Sequence, residues 1–107
     1  MLNIFLFLLI ASIQVFSQQF VLKGKVYDKN SFQQGLAYAN IRIAGTLSGT
    51  SATNEGFYEL RLAKGNYQLI VSNIGYTTDT VSVNLNNNET INIGLTPVPV
   101  NLPEVTV

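Results

Sequence analysis

The 107-residue chain contains no cysteine and no histidine. Without cysteine there is no disulfide framework and no thiolate nucleophile. Without histidine as well, the usual zinc ligand sets and the Ser-His-Asp relay are unavailable. Charge is scarce too: six basic and six acidic side chains balance to zero net charge. The bases Lys23, Lys25, Lys29, Arg42, Arg61 and Lys64 are scattered instead of forming the positive patch that a nucleic acid demands. Proline is confined to Pro97, Pro99 and Pro103. These absences exclude most hydrolase mechanisms and make polyanions poor partners, leaving carboxylates as the route to general acid–base chemistry.

Residues 1–22 carry no Asp, Glu, Lys or Arg, and within them Ile4 to Ile13 form an apolar run. The run has the length of a signal-peptide core and falls short of the ~20 residues that span a bilayer as a helix. A helical signal peptide is therefore expected over residues 1–17, with Ser17 as the small residue before the cut. No Lys or Arg precedes the run, so the α-amino group supplies its only positive charge. Export follows as the expected localisation.

Beyond that segment, apolar residues recur at every second position, the period of a half-buried strand. Phe20, Leu22, Gly24 and Val26 share one face of a first strand; Val21, Lys23, Lys25 and Tyr27 share the other. Ala37–Ala44 reads as a second strand with Ala39, Ile41 and Ile43 inward, after a loop through Gln33-Gln34-Gly35, and Thr50–Thr53 as a short third. Tyr58, Leu60 and Leu62 alternate with Phe57, Glu59 and Arg61, and Lys64-Gly65-Asn66 is expected to close a hairpin into Tyr67, Leu69 and Val71. Val81, Val83 and Leu85, then Ile91, Ile93 and Leu95, line the last strands. No helical spacing is sustained after residue 18. The expected fold is all-β, a small Greek-key β-sandwich of about seven strands. It would occupy residues 18–95, with a proline-containing extended linker over 96–107.

Chemistry-bearing constellations are few. Glu55 and Glu59 form the nearest carboxylate pair, but a turn and an outward strand position make them solvated charges. Thr53-Asn54-Glu55 and Asn86-Asn87-Asn88-Glu89 offer oxygens without the Asp-rich spacing of a calcium loop. Gly45-Thr46-Leu47-Ser48-Gly49-Thr50 lacks the Gly-Lys-Ser/Thr ending of a phosphate loop. Asn88-Glu89-Thr90 is a glycosylation sequon in form only. Of the tyrosines, Tyr27 and Tyr38 are the outward candidates for surface contact, including stacking on a glycan. No catalytic residue, metal ligand or cofactor is read from the chain.

From Leu22 to Leu95 the pattern resembles the carboxypeptidase regulatory-like domain, a transthyretin-like β-sandwich. The resemblance rests on Gly24-Lys25-Val26-Tyr27-Asp28, on Leu36 to Thr46, on Gly49-Thr50 with Thr53 to Tyr58, on Gly65-Asn66-Tyr67-Gln68-Leu69, and on Ser72-Asn73-Ile74-Gly75-Tyr76. Such domains often follow the signal peptide of TonB-dependent outer-membrane receptors, ahead of the plug and barrel. Leu102 to Val107 looks like the linker that enters such a plug. The resemblance implies a non-catalytic accessory or interaction domain whose partner is a protein, the plug or barrel of a nutrient receptor. The alternative is a stand-alone carbohydrate-binding sandwich. Asn54 stands where the family usually has Asp, a neutral acceptor in place of a charged one. Transthyretin-like hydrolases depend on histidines that this chain lacks. Whether the chain is a piece of a receptor or a free-standing module is left open.

Overall fold

Alternation along Gln19–Asp28 makes β1 the spine of the first sheet, with Leu22 and Val26 fully buried and Lys23 exposed. The computed structural model describes residues 18–99, and nine strands and no helix lie within them. Along one edge β1 pairs antiparallel with β5 (Phe57–Ala63), from Gln19↔Ala63 to Lys25↔Phe57. Farther along that edge, Tyr27 and Asp28 pair with β2 (Ser31–Gly35) across a register shift. The opposite edge carries β8 (Glu89–Thr90) and β9 (Ile93–Leu95), both parallel to β1. The second sheet runs in the order β4 (Gly49–Ser51), β3 (Asn40–Ile43), β6 (Gly65–Ser72) and β7 (Asp79–Leu85), every pair antiparallel.

The two sheets close on one core. Leu22, Val26 and Leu95 from the first meet Ile41, Leu69, Val71 and Leu85 from the second, all seven fully buried. At ~1.5–3 kcal/mol for each large side chain removed from water, this shared layer is what holds the sheets face to face.

The expected two-sheet, all-β architecture stands, with three corrections. Nine short strands replace about seven, because Ser31–Gly35 pairs with β1 instead of looping and the last strand divides into β8 and β9. β3 begins only at Asn40, since Ala37 and Tyr38 form a turn with Tyr38 at φ 57°. The hairpin about Lys64 does not form: β5 pairs with β1, whereas β6 pairs with β3 and β7. Tyr58 and Leu60 must face Leu69 and Val71 across the core, and two strands can do so only from opposite layers. The chain therefore crosses between sheets at Lys64, and the Tyr67 hydroxyl donates to the Ala63 carbonyl at that corner (2.7 Å).

Leu36 and Ala52 join the expected core residues, while Leu62, Tyr67, Val81 and Ile91 pack against its margin half-buried. The expected signal peptide (1–17) and the later part of the expected linker (100–107) lie outside the described residues. Residues 96–98 are tied to the segment between β6 and β7. The Thr77 N–H donates to the Thr96 carbonyl (2.8 Å), Pro97 bridges Tyr76, and the Val98 N–H donates to the Gly75 carbonyl (2.9 Å). Proline has no N–H to contribute, so Val98, between Pro97 and Pro99, supplies the donor that docks this segment.

Candidate functional site

Between β8 and β9 the chain jogs inward, and that jog shapes the floor beneath the outer face of the first sheet. The Ile91 carbonyl turns toward the core and accepts from the Tyr58 hydroxyl (2.7 Å). Meanwhile the Ile91 N–H donates to the Lys23 carbonyl (2.8 Å). Two asparagines replace the backbone acceptors that a continuous parallel strand would supply. Asn88 Oδ1 accepts from the Val21 N–H (2.8 Å) and Asn92 Oδ1 from the Lys25 N–H (3.0 Å). Gly24 makes the jog possible, because a Cβ there would sit 1.9 Å from the Ile91 oxygen. Burial pushes the Tyr58 phenol up to about 12 from 10.0, keeping it a neutral donor.

Above this floor, the outer face of the first sheet displays alternate residues of β1 and β5. The Tyr27 ring lies so close over Gly94 that a Cβ there would be 2.9 Å from the ring. Tyr27 also meets Phe32 edge to face, with centroids 4.8 Å apart and planes at 67°. Lys25 Nζ sits 4.9 Å from the Phe32 centroid and 5.7 Å from that of Phe57, and donates to the Gln33 carbonyl (3.4 Å). Such cation–π contacts contribute ~0.5–1 kcal/mol each at exposed sites. Phe32 and Phe57 nonetheless remain 53% and 49% exposed. Beside Phe57 opens a cavity of about 580 Å³, lined by Lys23, Glu59, Thr90 and Asn92, with Thr50 and Ser51 on its far wall. A smaller cavity of about 320 Å³ shares Lys23, Glu59 and Thr90 with it and adds Val21, Asn88 and Glu89.

The expected contact residues are placed apart. Tyr27 belongs to the aromatic face, half-buried, whereas Tyr38 is 70% exposed at the end of the sandwich beside Ser72, Asn73 and Ile74. Glu55 and Glu59 are not brought to a common cavity: the Glu55 carbonyl packs against Gly35, and Glu59 faces outward. At the turn before β5, the Thr53 hydroxyl accepts from the N–H groups of Glu55 (3.3 Å) and Phe57 (3.2 Å), so Thr53 caps it and not Asn54. Among the described residues no three Asp or Glu side chains gather as a metal site. Phe32 escaped sequence reasoning because its segment read as a loop. Phe57 was legible as outward, but only pairing with Lys25 places it beside Phe32.

Comparison with known proteins bears on this sandwich directly. The model of the CarboxypepD_reg-like domain matches residues 22–107. The chain belongs to that family. No curated protein matches at a significant level. Among solved structures, a chain of a type II cohesin–X-dockerin complex from Acetivibrio cellulolyticus is 16% identical with a TM-score of 0.57, covering 69% of this chain and 52% of that one. A DUF3823 family protein from Parabacteroides merdae is 20% identical with a TM-score of 0.57, covering 77% and 48%. A membrane-associated protein of unknown function from Bacteroides fragilis is 23% identical with a TM-score of 0.53, covering 82% and 31%. The chain thus spans about half or less of the structures it resembles, and at these identities the likeness is one of fold. The stretch that matches the CarboxypepD_reg-like domain takes in all of the sandwich from Leu22 onward. Gly24, for instance, sits at the jog against Ile91, and Tyr76 donates its hydroxyl to Asp28 Oδ2 (2.8 Å).

Proposed function

We propose that this CarboxypepD_reg-like domain is an exported, non-catalytic interaction module. In that reading it is the N-terminal accessory domain of, or a relative of one in, a TonB-dependent outer-membrane nutrient receptor. The observation that carries the interaction role is the outer face of the first sheet. There Phe32 and Phe57, half-exposed around Lys25, present apolar area and one cation on a rigid pairing of strands. Aromatic anchors of this kind dominate protein interfaces. The receptor assignment is supported by the family's frequent position behind a signal peptide and by the uncharged, apolar segment at residues 1–17.

The test is to express the chain in a Gram-negative host with a photo-crosslinking amino acid at Phe57 and, as a control, at Asn66 of the second sheet. Processing after Ser17 and a Phe57-specific adduct to an outer-membrane receptor are expected. Retention in the cytosol, or equal labelling from both positions, would overturn the reading. A carbohydrate-binding role is the second reading, and the 580 Å³ cavity favours it: Phe57 offers a stacking platform beside the Glu59 carboxylate, the Asn92 amide and the Thr90 hydroxyl. Titration calorimetry with neutral oligosaccharides decides it. Binding lost on Phe57→Ala would support a glycan ligand, and no heat with any glycan would remove it.

A further inference from the structure

A strand that ends a sheet leaves half of its backbone groups unpaired, and folded proteins guard such edges with shortness, charge, proline or a bulge. Most edges of this sandwich are guarded. β4 has only three residues, and the β8–β9 edge is interrupted by the jog at Ile91. β2 joins β1 across a register shift, and Lys25 Nζ donates to its Gln33 carbonyl. β5 carries Glu59 and Arg61, and its Phe57 carbonyl accepts from the Thr53 N–H (2.8 Å). β7 is different. It runs seven residues without proline, glycine or a register shift, pairs with β6 alone among the described residues, and holds no charge after Asp79 at its start.

The groups that β7 presents follow from the neighbouring ladders. The Ala44 N–H donates to the Gln68 carbonyl (2.8 Å), so the Gln68 backbone addresses β3. Backbone direction alternates along an antiparallel strand, so Tyr67 and Leu69 address β7, where they stand opposite Val83 and Val81. The N–H and carbonyl groups of Thr80, Ser82 and Asn84 are thereby left on the open side. In keeping with that direction, the Thr80 N–H donates to the exposed Asp79 Oδ1 (2.9 Å). The side chains of the same three residues are exposed and uncharged, and a trough of about 440 Å³ between Asn66, Gln68, Ser82 and Asn84 runs beside them. Val81 points to the core yet is only half-buried at this edge.

We propose that β7 pairs antiparallel with β7 of a second copy of this chain, across a two-fold axis at Ser82. Such an axis sets each residue opposite its symmetric counterpart. Ser82 exchanges both backbone bonds with the partner's Ser82, and Thr80 and Asn84 pair crosswise, the Thr80 N–H leaving Asp79 for the partner's Asn84 carbonyl. This register uses every open group. On the core side Val81 meets the partner's Val83, which covers its exposed part. The charges agree with the pairing: the two Asp79 side chains fall at opposite ends, about 20 Å apart, well beyond a screening length of ~8 Å. A foreign strand would find no charge from Thr80 to Leu85 to select it, whereas the chain's own β7 matches the edge group for group. One sheet then runs through both copies and leaves the outer face of each first sheet free, so the pairing stands apart from the role proposed for Phe32 and Phe57.

Sedimentation velocity of the full chain, from micromolar to millimolar, reads the association, and amide exchange followed by NMR locates it. A dimer should form as concentration rises, with protection of the Ser82 and Asn84 N–H groups rising alongside. Ser82→Lys and Ser82→Glu each set like charges opposite one another across the axis, and each should sediment as a monomer with unchanged far-UV circular dichroism. Mixed in equal amounts, the two variants should recover the dimer. Phe57→Ala should leave it intact. A parent that stays monomeric, a dimer that survives Ser82→Lys or is lost with Phe57→Ala, or a mixture that remains monomeric would overturn the proposal. Protection of Ser82 and Asn84 that is independent of concentration would place the chain's own backbone on the edge and overturn it as well. The exchange series needs no substitution, so it decides even where a Ser82 variant fails to fold.

Discussion

Replacing Tyr58 by Phe removes one hydroxyl and leaves the Ile91 carbonyl turned inward without its donor. Tyr58 is 3% exposed, so water does not freely take the hydroxyl's place, and an orphaned buried acceptor costs ~1–3 kcal/mol. Against the ~5–15 kcal/mol that holds a small domain folded, this is a sizeable share. The same hydroxyl makes a second, independent prediction about pH. The folded-state phenol titrates at about 12 against 10.0 for the free group. Between those values the folded protein keeps a proton that the unfolded chain has released. The linkage slope is then negative: the contribution is complete below pH 10 and declines as pH rises toward 12, by on the order of 2–3 kcal/mol in total.

Urea titrations followed by far-UV circular dichroism, at pH 8 and at steps from 9.5 to 11.5, read both effects; the chain has no tryptophan to report by fluorescence. Tyr58→Phe should lower stability at pH 8 with an unchanged m-value, and should flatten the alkaline decline. A variant as stable as the parent at pH 8, with the same alkaline slope, would show that the phenol is not buried against Ile91.

Gly24→Ala should destabilise by ~1–3 kcal/mol or more through overpacking, because the obstructing atoms are the Ile91 backbone and not a movable side chain. Combined with Tyr58→Phe the loss should be non-additive, since both act on one carbonyl, and a double-mutant cycle measures the coupling. Tyr76→Phe takes a donor from Asp28, a carboxylate only 8% exposed. A loss of stability is expected at neutral pH, with faster amide exchange at Val98 read by NMR. The Tyr76 phenol is itself raised by its hydrogen bond to Asp28, so this contribution too should fade above the ordinary tyrosine range. Leu69→Ala, at a fully buried position facing the first sheet, should cost ~2–5 kcal/mol in the same denaturation assay. Phe57→Ala, at a half-exposed one, should change stability little in that assay.

Much of the sandwich was written locally, in residues that tell inside from outside. Leu22 and Val26 against Lys23, Ile41 and Ile43 against Arg42, and Tyr58 and Leu60 against Glu59 alternate without ambiguity, and each falls on the side its chemistry demands. The missing cysteine and histidine bound the chemistry by composition alone. Period-two alternation, however, says which way a side chain points and nothing about which strand lies alongside. Pairing is a contest among edges distant in sequence, so Lys64-Gly65-Asn66 looked like a hairpin and proved to be a crossing between layers. For the same reason Ser31–Gly35 became a strand only because β1 had an open edge. Leu36 and Ala52 entered the core only because the ends of the sandwich needed closing. The aromatic face shows the division most plainly: Tyr27 and Phe57 read as outward and Phe32 as part of a loop, and only the register of β1 with β5 and β2 gathers the three beside Lys25.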